Sequence, residues 1–258
     1  YLCYHQYGFP QNMEKTLNFC DDKKLILIED CAHSLGSHYQ NKELGTFGDF
    51  SIYSYSKFVF CYSLGGIECN SEKYQNFFNE YYDNSLKSSK NYLLKIVNSQ
   101  KYIATKFGLT KYDFLKNFVN YSTKMTYGIY GDSLKYSNNS IYLYKNLIEK
   151  EKLFRKKYFD YIVNEFSSFG IFDHIQKDVG SAVPWGIPLI GKNELHRNLI
   201  KNLCDLKIYV NEYNFDINRF SLEPIYKKSV LLPLNYINNE NNLDKMIETI
   251  KKNLKLYL

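Results

Sequence analysis

Two residues in the first quarter of the chain have the types and the placement for covalent chemistry. Asp30 closes the apolar run Leu25-Ile26-Leu27-Ile28, and Lys57 closes the alternating segment from Phe50 to Tyr55, 27 positions further on. A short apolar run between turn signals fits a strand buried on both faces of a parallel sheet. Open α/β sheets take their ligands at the carboxyl ends of such strands, which is where this carboxylate and this amine would stand. His33 and Ser54 lie three residues from them. Each residue alone has a plainer reading. A lysine after a strand is usually a solvated edge residue, an aspartate there is usually a turn former, and a lone histidine usually makes one backbone hydrogen bond. Ser54 alone could be the polar half of an alternating strand.

The elements that would position these groups can be read from periodicity. Asn12 to Cys20 has an asparagine at a cap position and apolar residues at Met13, Leu17 and Cys20, which predicts a short amphipathic helix. Leu25 to Ile28 predicts the first strand, Phe50 to Tyr55 the second, and Gly65 to Cys69 a third, entered through a double-glycine turn. The spacing from Ile141 to Phe166 predicts a long helix. Trp185 to Ile190, Ile208 to Val210 and Val230 to Leu234 predict strands, with helices over Glu194 to Cys204 and Asn241 to Leu254. This alternation predicts a larger unit over 1–138 and a smaller α+β unit over 139–258.

The stretch from Ile28 to Lys57 reads I-E-D-C-A-H-S-L-G-S-H-Y-Q-N-K-E-L-G-T-F-G-D-F-S-I-Y-S-Y-S-K, with Ser63-Leu64-Gly65-Gly66 just beyond. It closely resembles the signature of the DegT-type sugar aminotransferases, pyridoxal 5'-phosphate (PLP) enzymes of the aspartate aminotransferase fold. That signature is a strand ending E-D-x-A-[QH], a loop G-x-x-x-G-x-x-G-D, an F-S-F-x-x-x-K segment and a Gly-Gly turn. PLP chemistry requires a lysine amine to hold the cofactor and an acid beside its pyridine nitrogen. The resemblance implies Lys57 as the Schiff-base lysine and proton carrier, Asp30 as the pyridinium partner, His33 against the cofactor ring, and Ser54 on the phosphate. It also implies the C-terminal part of a fold type I large domain, with a mainly parallel sheet, followed by a small α+β domain. A homodimer follows from the family's shared sites, with Asn138 or Asn139 as candidates to reach the partner subunit. A lysine in the Schiff-base position argues against the family's dehydratase variant.

The implied reaction transfers an amino group from an amino-acid donor, glutamate by expectation, to the keto group of a nucleotide-linked sugar for surface polysaccharide. Relatives carry about another domain of sequence ahead of this point, so the N-terminal part is expected to be missing. The alternative is a truncated or degenerate member that acts only as a partner subunit.

Composition narrows the classes. Basic residues number 33 against 27 acidic, a net charge of +6, and the only arginines are Arg155, Arg197 and Arg219, which argues against a nucleic-acid reader. No apolar run approaches the roughly 18 residues of a membrane span. The six cysteines, at 3, 20, 31, 61, 69 and 204, form no Cys-x-x-Cys pair. That spacing, with no His partner of zinc-finger spacing, sets the expectation of no metal site, and with no signal peptide visible reduced thiols and a cytoplasmic location are expected. His5 and Tyr7 precede Gly8-Phe9-Pro10 and resemble the family's H-x-Y-G segment, near substrate or in loop packing. Cys31 reads as a buried structural thiol.

Overall fold

The computed structural model describes residues 1–59, 65–86, twelve scattered positions between 99 and 121, and 139–176, 181–234 and 240–255. The chain starts with strand β1 (Leu2–Tyr4), a turn over Gln6–Gly8 and helix α1 (Met13–Lys23), which leads to β2 (Ile28–Asp30). A two-stranded hairpin, β3 (His38–Tyr39) and β4 (Lys42–Glu43), precedes β5 (Phe50–Ser54), a 3-10 turn over Tyr55–Lys57, β6 (Gly65–Cys69) and α2 (Glu72–Leu86). After the long helix α3 (Asn139–Glu165) come α4 (Asp173–Gln176), β7 (Gly186–Leu189), α5 (Asn193–Asp205), β8 (Glu212–Asp216), β9 (Tyr226–Pro233) and α6 (Glu240–Lys255).

Two main sheets result. The first has the order β1-β2-β5-β6, with β1 parallel to β2, β2 parallel to β5 and β6 antiparallel at the edge. The mainly parallel sheet expected from the sequence is present. The second, β7-β9-β8, is antiparallel and packs with α5 and α6, the α+β arrangement expected of the C-terminal part. The largest buried cluster joins Ile162, Phe166, Leu199, Phe215, Val230 and Met246, and also includes Tyr7 and Phe9 from the first 10 residues. The N-terminal turn is thus built into the core of the second sheet. Along α3, Arg155, Tyr158 and Ile162 fall at helical spacing on its buried side, and Phe166 just past its end continues the row.

The first predicted strand is displaced. Asn12 caps α1 by accepting the Lys15 N–H at 3.0 Å, as its position suggests. The helix then runs three residues past Cys20, ends on Lys24 in the left-handed region at φ 53, and is closed by the Leu25 N–H donating to the Cys20 carbonyl at 2.9 Å. Leu25 and Ile26 are consumed in leaving the helix, and each is 42% exposed. Pairing starts only at Ile28, so the apolar run Leu25 to Ile28 is not a strand buried on both faces. The segment Ile208 to Val210 is likewise an unpaired connection, with Ile208 and Val210 buried and Tyr209 exposed, and the strand forms at Glu212–Asp216. The Ser63-Leu64 entry to the double-glycine turn and Asn138 lie outside the described residues.

Alternation in β2 turns Glu29 to the face opposite Asp30, and Glu29 is fully buried. Its carboxylate accepts the N–H groups of Gly45 at 2.8 Å and of Phe47 and Gly48 at 2.6 Å, and a ring nitrogen of His5 at 3.2 Å. Asp49 ties the far end of this loop to the Leu27 N–H at 2.9 Å. Asn70 donates to the Gly45 and Gly48 carbonyls at 2.8 and 3.1 Å. Gly45 has φ +93, and a Cβ there would lie 2.1 Å from the Tyr53 hydroxyl, so the position demands glycine.

Burial alone would raise the proton affinity of Glu29. The hydrogen bonds from His5, Gly48 and Gly45, together with the His5 charge, outweigh it and hold the carboxyl below its usual range. We expect Glu29→Gln to lower the unfolding free energy by about 3 kcal/mol, read by urea denaturation, because a donor then faces backbone donors in a dry site. The contribution of Glu29 should be complete above the ordinary 4.5 and be lost as pH falls through the lower folded value. A wild-type stability curve that stays flat on acidification and coincides with that of Glu29→Gln would refute this.

Candidate active site

The site is set by the carboxyl ends of β2 and β5, neighbours in the parallel part of the sheet. Asp30 is the last residue of β2 and pairs with Ile52 of β5. Its Oδ1 accepts the Ala32 N–H at 3.0 Å, which folds the chain back at once and brings His33 over the strand ends. Its second carboxylate oxygen meets no hydrogen-bond donor among the described residues. Lys57 ends the 3-10 turn after β5, and its Nζ lies 2.9 Å from His33 Nε2.

His33 Nδ1 lies 2.5 Å from the Tyr4 hydroxyl, so the imidazole bridges Tyr4 and Lys57. A cationic lysine can only donate, which makes Nε2 the acceptor and puts the ring proton on Nδ1, donating to Tyr4. Burial, the Lys57 charge and the Arg155 charge together pull the His33 pKa down to about 3. Burial also lowers the Lys57 pKa below the ordinary 10.5, against the opposing attraction of Asp30. A neutral imidazole thus faces an amine poised to lose its proton, beside a carboxylate with an oxygen to spare. Residues 2–99 match the DegT/DnrJ/EryC1/StrS aminotransferase family.

The matched segment carries Tyr4, Asp30, His33 and Lys57. A stretch of 54 residues is 44% identical to GDP-perosamine synthase of Escherichia coli O157:H7, covering 21% of this chain and 15% of that protein. The GDP-perosamine synthase of Vibrio cholerae is 39% identical over 54 residues, 21% of this chain and 15% of its own length. Among solved structures, a DegT/DnrJ/EryC1/StrS aminotransferase from Brucella abortus superposes with a TM-score of 0.59 at 13% identity, over 97% of this chain and 63% of that one. Helicobacter pylori PseC, an aminotransferase of pseudoaminic acid biosynthesis, gives a TM-score of 0.58 at 13% identity, over 98% of this chain and 66% of its own. The chain therefore has the fold of these aminotransferases and spans about two thirds of their length.

Ser54 shares a strand end with Lys57, and its hydroxyl lies 3.2 Å from that of Ser56. His5 proves to be a partner of Glu29, inside the protein, rather than a group at the strand ends. Cys31 is fully buried and its thiol is pushed up by burial and by the Glu29 charge. Donor atoms of His5, Glu29 and Cys31 lie within 4.8 Å of one another. The Glu29 oxygens there already accept four hydrogen bonds, so this cluster reads as the anchor of the glycine loop.

Sequence reading of this site missed three residues: Tyr4, the partner of His33 Nδ1, and two from the second half of the chain. Trp185, just ahead of β7, stacks on His33 with ring centres 4.8 Å apart and planes at 19°. Arg155 of α3, fully buried, donates to the Lys57 and Trp185 carbonyls at 3.1 and 3.3 Å. Both come from more than 90 positions downstream of Lys57, and nothing in local spacing marks them. The single tryptophan in the chain was the only available signal.

Because His33 titrates at about 3 in the fold and near 6.5 unfolded, the unfolded chain binds a proton that the native protein refuses. Its effect on stability is therefore nil above pH 6.5 and grows more unfavourable as pH falls toward 3. We expect His33→Gln to flatten the pH dependence of unfolding between pH 6 and 4 by up to one proton, about 1.4 kcal/mol per pH unit. Equal slopes in wild type and variant would refute the assignment.

Proposed function

We propose that this chain is part of a PLP-dependent aminotransferase that moves an amino group from an amino acid, glutamate by preference, to the keto group of a nucleotide-linked sugar. The observation that carries the reading is the Lys57–His33 hydrogen bond beside Asp30 at the ends of two parallel strands. The fold of the solved aminotransferases and the family match over residues 2–99 support it. The activity for which the relatives are named, GDP-perosamine synthesis, supports a nucleotide sugar as the acceptor.

The residues present suit the cofactor. A desolvated amine suits an aldehyde, and a carboxylate oxygen without a donor suits a protonated pyridine nitrogen. Bound PLP would supply a carbonyl that condenses with amines and a ring that withdraws electrons from the substrate carbon. Lys57 would bind it through Nζ and later carry a proton on that atom to and from substrate. Asp30 would hold the ring nitrogen protonated. His33 accepts the Lys57 N–H through Nε2 and, being neutral, adds no charge to compete with the amine. Ser54 would donate to the phosphate by rotating away from Ser56. We place the enzyme in the cytoplasm as a homodimer serving surface-polysaccharide synthesis, with residues 1–138 and 139–258 as its cofactor-binding and smaller domains.

The test is an absorption titration with PLP, followed by borohydride reduction and peptide mapping. Wild type should gain a band in the imine region and a reduced adduct on Lys57, and Lys57→Ala should have neither. Asp30→Asn should still form the adduct but weaken PLP binding about tenfold or more. Unchanged absorbance in Lys57→Ala, or reduction spread over surface lysines in wild type, would sink the reading.

A further inference from the structure

Arg155 sits at an unusual convergence. Its side chain is fully buried on α3, and its three donor groups go to three different segments. Nε donates to Glu151 at 2.9 Å, one turn back on the same helix. The two terminal nitrogens donate to the carbonyls of Trp185 and Lys57. The guanidinium also lies over the Phe58 ring, 4.6 Å from its centre. Burying a cation is costly, and an apolar side chain on this face of the helix would pack at least as well. What an apolar side chain cannot do is hold two carbonyls from distant parts of the chain in one plane, which the fixed fork of a guanidinium does.

The two carbonyls belong to the residues that grip His33. Lys57 meets the imidazole edge at 2.9 Å, and Trp185 covers its face at 4.8 Å. Arg155, Lys57, His33 and Trp185 therefore form a closed ring of contacts. The Lys57 carbonyl stands at the end of a three-residue turn, where helical carbonyls are left without partners, and Arg155 supplies its donor.

We propose that Arg155 is the positioning residue for Lys57: by fixing the carbonyls of Lys57 and Trp185 it holds the amine against His33 and out of water. The proposal deepens the reading of Lys57 as the reactive amine and rests on it. Arg155 touches no reacting atom. Its action is to keep the 3-10 turn from swinging the lysine toward solvent, where the amine would be an ordinary solvated cation. The ionisable groups around the amine are Asp30 and His33, with Tyr4 behind the imidazole and Glu151 behind the guanidinium.

The experiment measures the proton affinity of Lys57 in the full chain without PLP, by competitive acylation across pH with the Lys57 peptide quantified by mass spectrometry. The midpoint of such a profile reports protonation and is independent of how accessible the amine is. In wild type it should lie below the ordinary 10.5. In Arg155→Met it should rise by about one pH unit, and in Arg155→Lys, which keeps the charge but can hold only one carbonyl, by about half that. Ile162→Ala opens a cavity on the same helix away from Lys57 and should leave the midpoint where it was. A midpoint in Arg155→Met within about 0.2 pH unit of wild type would overturn the proposal, as would an equal shift in Ile162→Ala. If Arg155→Met does not fold, Arg155→Lys is judged by the same rule. Failure of PLP to reach Lys57 in wild type would instead overturn the functional reading, and the acylation midpoints would still decide whether Arg155 sets the amine.

Discussion

The buried Glu29 carboxylate is the constraint on which the rest of the first sheet depends. A lone ionised carboxyl in a dry interior is very unfavourable, so its neighbours must bring donors to it. The chain does this with a glycine loop that exposes the N–H groups of Gly45, Phe47 and Gly48 inward, and with His5 from the turn after β1. The same loop delivers the chain to β5 in register with β2, and β5 ends where Lys57 begins its turn. Alternation along β2 then places Asp30 on the other face. One strand of three residues thus carries a structural carboxylate and a chemical one, separated by the pleat. Exchanging their roles by a one-residue slip would put Asp30 among backbone donors and Glu29 at the strand ends.

The remaining support comes from the second half of the chain. Tyr7 stacks on Phe215 of β8 at 5.9 Å and lies 6.3 Å from Trp185, which in turn covers His33. The Trp185 N–H donates to the Tyr7 carbonyl at 2.8 Å, and Gly8 approaches Pro184 so closely that a Cβ would lie 2.7 Å from its Cα. The antiparallel sheet and the parallel one therefore share their aromatic contact at the side of the amine. This desolvates Lys57 and His33 together, which is why both lose proton affinity although their nearest charges differ in sign.

Much of this was legible in the sequence, and the limits have physical causes. The Asp30, His33 and Lys57 pattern was readable only through its resemblance to a family signature, since each residue alone has a plainer reading; in the fold two adjacent strand ends bring Lys57 against His33 beside Asp30. The register of β2 was not, because an apolar tetrapeptide cannot tell a strand from the exit of a helix; the Lys24 cap and its bond to Cys20 decided it. Ile208 to Val210 misled for the same reason: Ile208 and Val210 are buried without strand pairing. Glu29 stood in the quoted motif, but whether a strand carboxylate faces solvent or the core depends on which face the sheet covers. Arg155 and Trp185 act through backbone carbonyls and ring faces, which leave no spacing rule in the sequence.

Tyr7 shows how firmly the arrangement is held. It adopts φ 56 and ψ 15, a left-handed conformation that an aromatic residue takes at a cost of about 1–2 kcal/mol. The strain turns the chain sharply between His5, which must face Glu29, and Phe9, which must enter the core under Arg219 at 5.4 Å. Relaxing Tyr7 to an extended conformation would separate those anchors. It would also withdraw the carbonyl that holds Trp185, and with it the cover over His33. Stacking against Phe215 and the Trp185 hydrogen bond each offset about 1 kcal/mol, enough to balance the strain. The conformation of one residue in the N-terminal turn thus links the carboxylate that organises the glycine loop to the indole that shields the site.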